Sequence, residues 1–209
     1  MGIVELKITD KEVELISMAV FLTNIKKGKK IKCMQSKLWE ENFLNANICF
    51  FSMGKNATIF ENIEFTNRAK GYVESCLKEK QTWYTLFLRA YLNASVVLSD
   101  DDKTKTITLL KELIRIQTKT EDMQSYYIFP YILLVELSRD SEEKFYDALT
   151  KLKECQIEKI STLSDVFKGV FKRTYNILNA EPTRFCDACR YLDTIEQILF
   201  ENMHYSCGA

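Results

Sequence analysis

Trp83-Tyr84-Thr85-Leu86-Phe87-Leu88-Arg89-Ala90-Tyr91-Leu92, followed by Ala94, Val96, Val97 and Leu98, is the most apolar stretch of the chain. It contains no glycine or proline, and Arg89 is its one charge. A run apolar on every side has no face to give to water, so it reads as a central helix wrapped by others. The rest of the chain agrees with that reading. Six glycines and two prolines occur in 209 residues, where ordinary usage of the two together is roughly 12%. These residues supply most turns and strand bends, so their shortage predicts long helices joined by short polar loops. It also argues against the glycine-rich loops that cradle phosphates.

Working toward the N-terminus, a third helix is predicted over Thr58 to Lys80, with Ile59, Ile63, Ala69, Tyr72, Val73, Cys76 and Leu77 at helical spacing. Gly71 inside it costs about 1 kcal/mol relative to alanine unless a neighbouring helix needs the space. A second apolar stretch runs from about Met34 through Leu38, Trp39, Phe43, Leu44, Ile48, Phe50 and Phe51 to Gly54. Thr9 followed by Glu12 forms a capping-box pair that opens the first helix. Val13, Ile16 and Val20 continue it, with Leu15, Leu22 and Ile25 beside them, to a stop near Lys26-Lys27-Gly28.

Toward the C-terminus, Ser99-Asp100-Asp101-Asp102 suits the start of a fifth helix, where carboxylates complement the dipole. That helix sets Ile107, Leu110 and Ile114 on one face, with Leu109, Leu113 and Ile116 alongside. A sixth element spans about Met123 to Leu137, and Pro130 should start or kink a helix there. Ser141, Glu142, Glu143 and Lys144 open a seventh carrying Phe145, Ala148, Leu149 and Leu152. An eighth is predicted from Leu163 to Leu178, and a ninth from Pro182 through Phe185, Leu192, Ile195 and Leu199. The prediction is therefore an all-α protein of about nine helices in a single domain over 1–209. The helices are expected to stack as antiparallel hairpins, in a solenoid-like array or an irregular bundle. The strand-like run Tyr126 to Val135 is the main challenge to it. No tetratricopeptide signature recurs at its 34-residue period.

Charge and cysteine content narrow the classes of function. Lys+Arg and Asp+Glu both total 29, so no global field draws the chain to nucleic acid or anionic lipid. Seven cysteines, at 33, 49, 76, 155, 186, 189 and 207, are an odd number set among apolar positions. They read as reduced thiols in a cytoplasmic protein. Glu5, Asp10, Glu12 and Glu14 stand where a signal peptide would be basic and then apolar. No membrane span is expected, because no run of about eighteen uncharged apolar residues occurs.

Catalytic sets are hard to assemble. His204 is the chain's one histidine. Glu201-Asn202-Met203-His204 supplies a single Glu-x-x-His, where a helical di-iron site needs two. A Ser-His-Asp or Cys-His centre would have to use this same residue, close to a terminus. Cys186-x-x-Cys189 with His204-x-x-Cys207 has a zinc-like ligand set. Residues 190–203 between the two pairs read as continuous helix, about 21 Å long at 1.5 Å per residue, which holds the pairs apart. Buried thiols are the expectation there, with no catalytic, metal or cofactor residues anywhere.

Three features remain as partner-binding candidates. Lys26-Lys27-Gly28-Lys29-Lys30-Ile31-Lys32 is the densest charge run, and Lys27, Lys29 and Lys30 are its candidate contacts. It has no arginine and no aromatic to stack on a base, so a solvated loop is the ordinary reading. Asp100, Asp101 and Asp102 match no EF-hand spacing, and helix capping is their ordinary role. Tyr126 and Tyr127, with Phe129 and Tyr131, form an aromatic cluster that could anchor a partner or lie in the core.

The block Trp83 to Tyr91, the acidic turn after it and the helix through Ile107 to Ile116 resemble the all-helical immunity proteins of bacterial toxin systems, in particular the immunity protein forty-nine family. That resemblance carries no site residues across. It implies a cytoplasmic protein that binds one cognate toxin domain, blocks it, and catalyses nothing itself. The functional expectation is a non-enzymatic protein-binding module. The alternatives are a nucleic-acid-binding regulator using the Lys26 to Lys32 loop, which the neutral charge disfavours, and a helical-repeat scaffold.

Overall fold

The structure, a computed structural model, describes residues 8–25, 38–53, 59–95, 99–117 and 129–154. These residues form seven helices, and no strand occurs among them. The chain divides between Ser99 and Asp100 into two compact units. The predicted eighth and ninth helices lie outside the described residues.

The first unit contains α1 (Asp10–Ile25), α2 (Trp39–Ser52), α3 (Ile59–Glu79) and α4 (Trp83–Ala94). α1 begins at the predicted capping box. The Thr9 N–H donates to Glu12 Oε2 at 2.9 Å, and Thr9 Oγ1 accepts the Glu12 N–H at 3.2 Å. α4 has a capping box of its own, with Thr85 in place of the usual Glu or Gln. The Thr82 N–H donates to Thr85 Oγ1 at 3.0 Å, and the Thr85 N–H donates to Thr82 Oγ1 at 3.2 Å. α2 lacks a side-chain cap at Leu38 and has Glu40 and Glu41 in its first turn instead.

α4 is the central helix of this unit. Trp83, Tyr84, Thr85, Phe87, Leu88, Ala90 and Leu92 are buried, and Arg89 reaches out to Glu74 of α3 at 2.9 Å. Phe43 lies 5.5 Å from Tyr84 and Phe50 lies 5.0 Å from Tyr91 between ring centroids. Both pairs advance together along their helices, so α2 and α4 run parallel. α3 runs the other way: its early residue Thr66 meets Met53 at the end of α2, and Cys76 meets Trp39 at the start. Each large side chain sealed here, such as Phe43, Phe50, Leu88 or Leu92, contributes about 1.5–3 kcal/mol of hydrophobic stabilisation.

α3 is therefore antiparallel to both α2 and α4, while α1 and α2 meet at their N-terminal ends. Lys11 lies 3.7 Å from Glu40, and Glu12 bonds Thr82 just before α4. The thirteen residues between Ile25 and Trp39 can span about 45 Å, ample to return past a sixteen-residue helix of about 24 Å. Three helix N-termini thus gather at one end of the unit with the C-terminus of α3.

The second unit includes α5 (Asp100–Gln117), α6 (Phe129–Glu136) and α7 (Glu142–Glu154). Pro130 is the second residue of α6, in the first turn, where a missing N–H breaks no helical bond. Of the strand-like run Tyr126 to Val135, the described residues 129–135 are helical, and Tyr131, Ile132, Leu133, Leu134 and Val135 are all buried. α5 contributes Leu110 and Leu113 to the core, and α7 contributes Phe145, Ala148 and Leu152. Lys103 near the start of α5 pairs at 2.8 Å with Asp140 just beyond α6, so these two helices run antiparallel.

Candidate functional site

The end of the first unit where the N-termini meet is built around Glu12, which is fully buried. Its carboxylate accepts three hydrogen bonds: from the Thr9 N–H at 2.9 Å, the Thr9 hydroxyl at 3.1 Å and the Thr82 hydroxyl at 2.6 Å. A buried carboxylate without such donors would cost several kcal/mol. α4 has no acidic residue in its first turn, and Glu12 brings one there from another helix. The negative charge then complements two helix dipoles at once.

The same node includes a thiol. Cys76 is buried, 3.8 Å from the Trp39 carbonyl, and burial, with the Glu79 and Glu12 charges nearby, pushes it up to about 12. The thiolate is the nucleophilic form, so at neutral pH this cysteine is an inert packing group. Cys49 is likewise a buried free thiol. The remaining cysteines and His204 lie outside the described residues. Trp39 stacks on Phe43 with centroids 4.7 Å apart, and Lys80 stands 5.8 Å over its ring. Among the described residues no cluster of His, Cys, Asp and Glu could hold a metal ion. None of the described helices is long and apolar enough to cross a membrane.

The outer surface of α1 has a different character. Glu12, Leu15, Ile16, Ala19 and Val20 face inward, while Val13, Met18 and Phe21 are 48%, 46% and 62% exposed. Val13 was expected beside Ile16 and Val20. The Thr82 hydroxyl donates to Glu12 on the inner face of the helix, and Val13, about 100° further round, faces outward. Asp10, Lys11 and Glu14 are exposed on the same helix. Lys11 lies within 3.2 Å of Glu14 and 3.7 Å of Glu40, and these contacts raise its pKa, the Glu14 hydrogen bond most.

Of the partner-binding candidates read from the sequence, the three aspartates lie among the described residues. Asp100, Asp101 and Asp102 form the exposed first turn of α5, as predicted, and Asp101 pairs with Lys105. Lys27, Lys29, Lys30, Tyr126 and Tyr127 lie outside the described residues. Tyr131 is in the core of the second unit. Met18 and Phe21 were missed because they fall off the spacing of Val13, Ile16 and Val20. Their signal was present nonetheless, in apolar residues that extend beyond one stripe of α1. The described residues place the chain in the all-α class. Beyond that class, no protein-family model, curated protein or solved structure matches it.

Proposed function

We propose that the protein is a non-enzymatic protein-binding module, most concretely a cytoplasmic immunity protein that neutralises one bacterial toxin by direct binding. The observation that supports this reading is the outer face of α1, where two large side chains and a valine stand in solvent. Exposed apolar surface, where it is contiguous over roughly a few hundred Å², marks interaction sites. The buried polar groups of the first unit serve the fold: Glu12 and Thr82 join helices, and Cys76 is held as a neutral thiol. In the full proposal nine helices stack as hairpins within one domain, and the rigid stack presents its surface to a toxin domain.

The test is recovery of a partner. Tagged protein expressed in its native host is expected to retain one protein at near-equal stoichiometry, and co-expression is expected to relieve that protein's toxicity. Catalytic turnover of a substrate by the purified chain, or recovery of no protein, would reject the reading.

A further inference from the structure

The apolar residues of α1 do not by themselves choose which side of the helix turns inward. Val13, Ile16 and Val20 form one stripe at helical spacing, and Leu15, Ile16, Ala19 and Val20 form another. At about 100° per residue the midlines of the two lie about 60° apart. The structure takes the second: Leu15, Ile16, Ala19 and Val20 are buried, and Val13 is 48% exposed. Glu12, a carboxylate with no exposed surface, stands within about 10° of the midline of that inward face. The first stripe would bury Val13 in place of Leu15 and carry Glu12 toward the edge, where water can reach it. That exchange changes the buried side chain by one methylene, and hydration of the carboxylate offsets it. Apolar packing therefore does not decide between the two.

A bonded bridge to α4 does distinguish them. Glu12 Oε2 accepts from the Thr9 N–H at 2.9 Å and the Thr9 hydroxyl at 3.1 Å, which ties the side chain to the start of its own helix. Glu12 Oε1 accepts from the Thr82 hydroxyl at 2.6 Å. Thr82 is itself held in place as the cap of α4 by its exchange of hydrogen bonds with Thr85. A long side chain with a loose tip could follow a turning helix. One bonded through both oxygens cannot turn without giving up the capping box or the bridge. Turning α1 by about 60° moves a side-chain tip by about 5 Å, beyond reach of Thr82. It also removes the acidic charge from the first turn of α4, which has none of its own.

We propose that the Thr82–Glu12 hydrogen bond is a rotational pin that selects the face α1 turns inward, Leu15 over Val13. Its role is choice of orientation more than added stability, because desolvating the carboxylate offsets much of what the bonds contribute. A buried polar residue fixes register in coiled coils in the same way. Thr82 is thus a positioning residue for a helix that lies seventy positions earlier.

A soluble gadolinium chelate, read by NMR on the methyl-labelled full chain, reports the exposure of each methyl group. In wild type the Val13 methyls are expected to relax strongly and those of Leu15 weakly, with Met18 strong as the outer reference. Thr82→Gly removes the hydroxyl, and glycine is tolerated at an N-cap. In this variant the Leu15 effect is expected to rise and the Val13 effect to fall, with helical circular dichroism unchanged. Thr82→Ser retains the hydroxyl and is expected to keep the wild-type order. An unchanged order in Thr82→Gly overturns the proposal, because the remaining packing then chooses the face. Strong relaxation of both residues, or loss of helical signal, also overturns it: α1 has then come away and the bond served stability. So does the same change in Thr82→Ser, which would make the methyl group the cause. The pin needs no partner, so its failure leaves the protein-binding reading standing.

Discussion

Glu12 has no exposed surface, and its carboxylate serves both its own helix and the start of a helix seventy positions further on. Removing it takes away the acceptor of the Thr9 N–H, the Thr9 hydroxyl and the Thr82 hydroxyl and leaves a hole between α1 and α4. Glu12→Ala is therefore expected to cost about 3 kcal/mol or more, measured by urea denaturation. Glu12→Gln keeps the volume and one acceptor oxygen, and should cost about 1–2 kcal/mol. A double-mutant cycle with Thr82→Val isolates the contact between helices: the two costs should fall short of additive by about 1 kcal/mol. Strict additivity would mean that this bond contributes nothing. The capping half of the site was legible, because Thr9 and Glu12 are three residues apart and local spacing defines the motif. The other half was not, because nothing near Glu12 in sequence points to Thr82.

Among the helices, α3 has a weakness that structure turns into a prediction. A Cβ added at Gly71 would meet nothing within 4 Å, and the position is exposed. No neighbour needs the space, so only the entropic cost of a mid-helix glycine remains. Gly71→Ala should stabilise the protein by about 0.5–1 kcal/mol, seen as a higher denaturation midpoint with an unchanged slope. The antiparallel pair α5–α6 supplies a second prediction. The hydrogen bond from Lys103 holds the Asp140 carboxyl below its usual range. A lowered acid contributes stability above its ordinary value of 3.8, and that contribution is lost as pH falls through the lower folded value. Lys103→Ala should return Asp140 toward 3.8 in an NMR titration, with little change in stability at neutral pH, since Asp140 is largely exposed. Helix starts at Asp10, Asp100 and Glu142 were readable from Thr, Ser and acidic residues at fixed offsets. Pairing directions were not, as the meeting of α1 and α2 at their N-terminal ends shows: a long connection permits either direction, and side-chain contacts choose.

At the scale of the whole molecule, 29 positive and 29 negative side chains cancel, and the isoelectric point lies near 6.6. Solubility of the purified protein should pass through a minimum close to that pH, because net repulsion between molecules vanishes there. A minimum displaced well to the acidic side would show that the carboxylates outweigh the lysines in solution. Cancellation over the chain coexists with local imbalance along it, such as the lysine run from Lys26 to Lys32, and composition cannot report where charges gather. The sequence by itself determined that this is an all-α protein, that α4 is central to its unit, and that Pro130 starts or kinks a helix. Glycine scarcity, apolar periodicity and capping pairs act over a turn or two of chain, so they are visible without the fold. Only the tertiary structure decided which side of α1 is buried, that Val13 faces out while Val20 faces in, and that Glu12 bonds the start of a second helix. Burial depends on which helix lies opposite, and that partner is chosen by contacts between residues far apart in the chain.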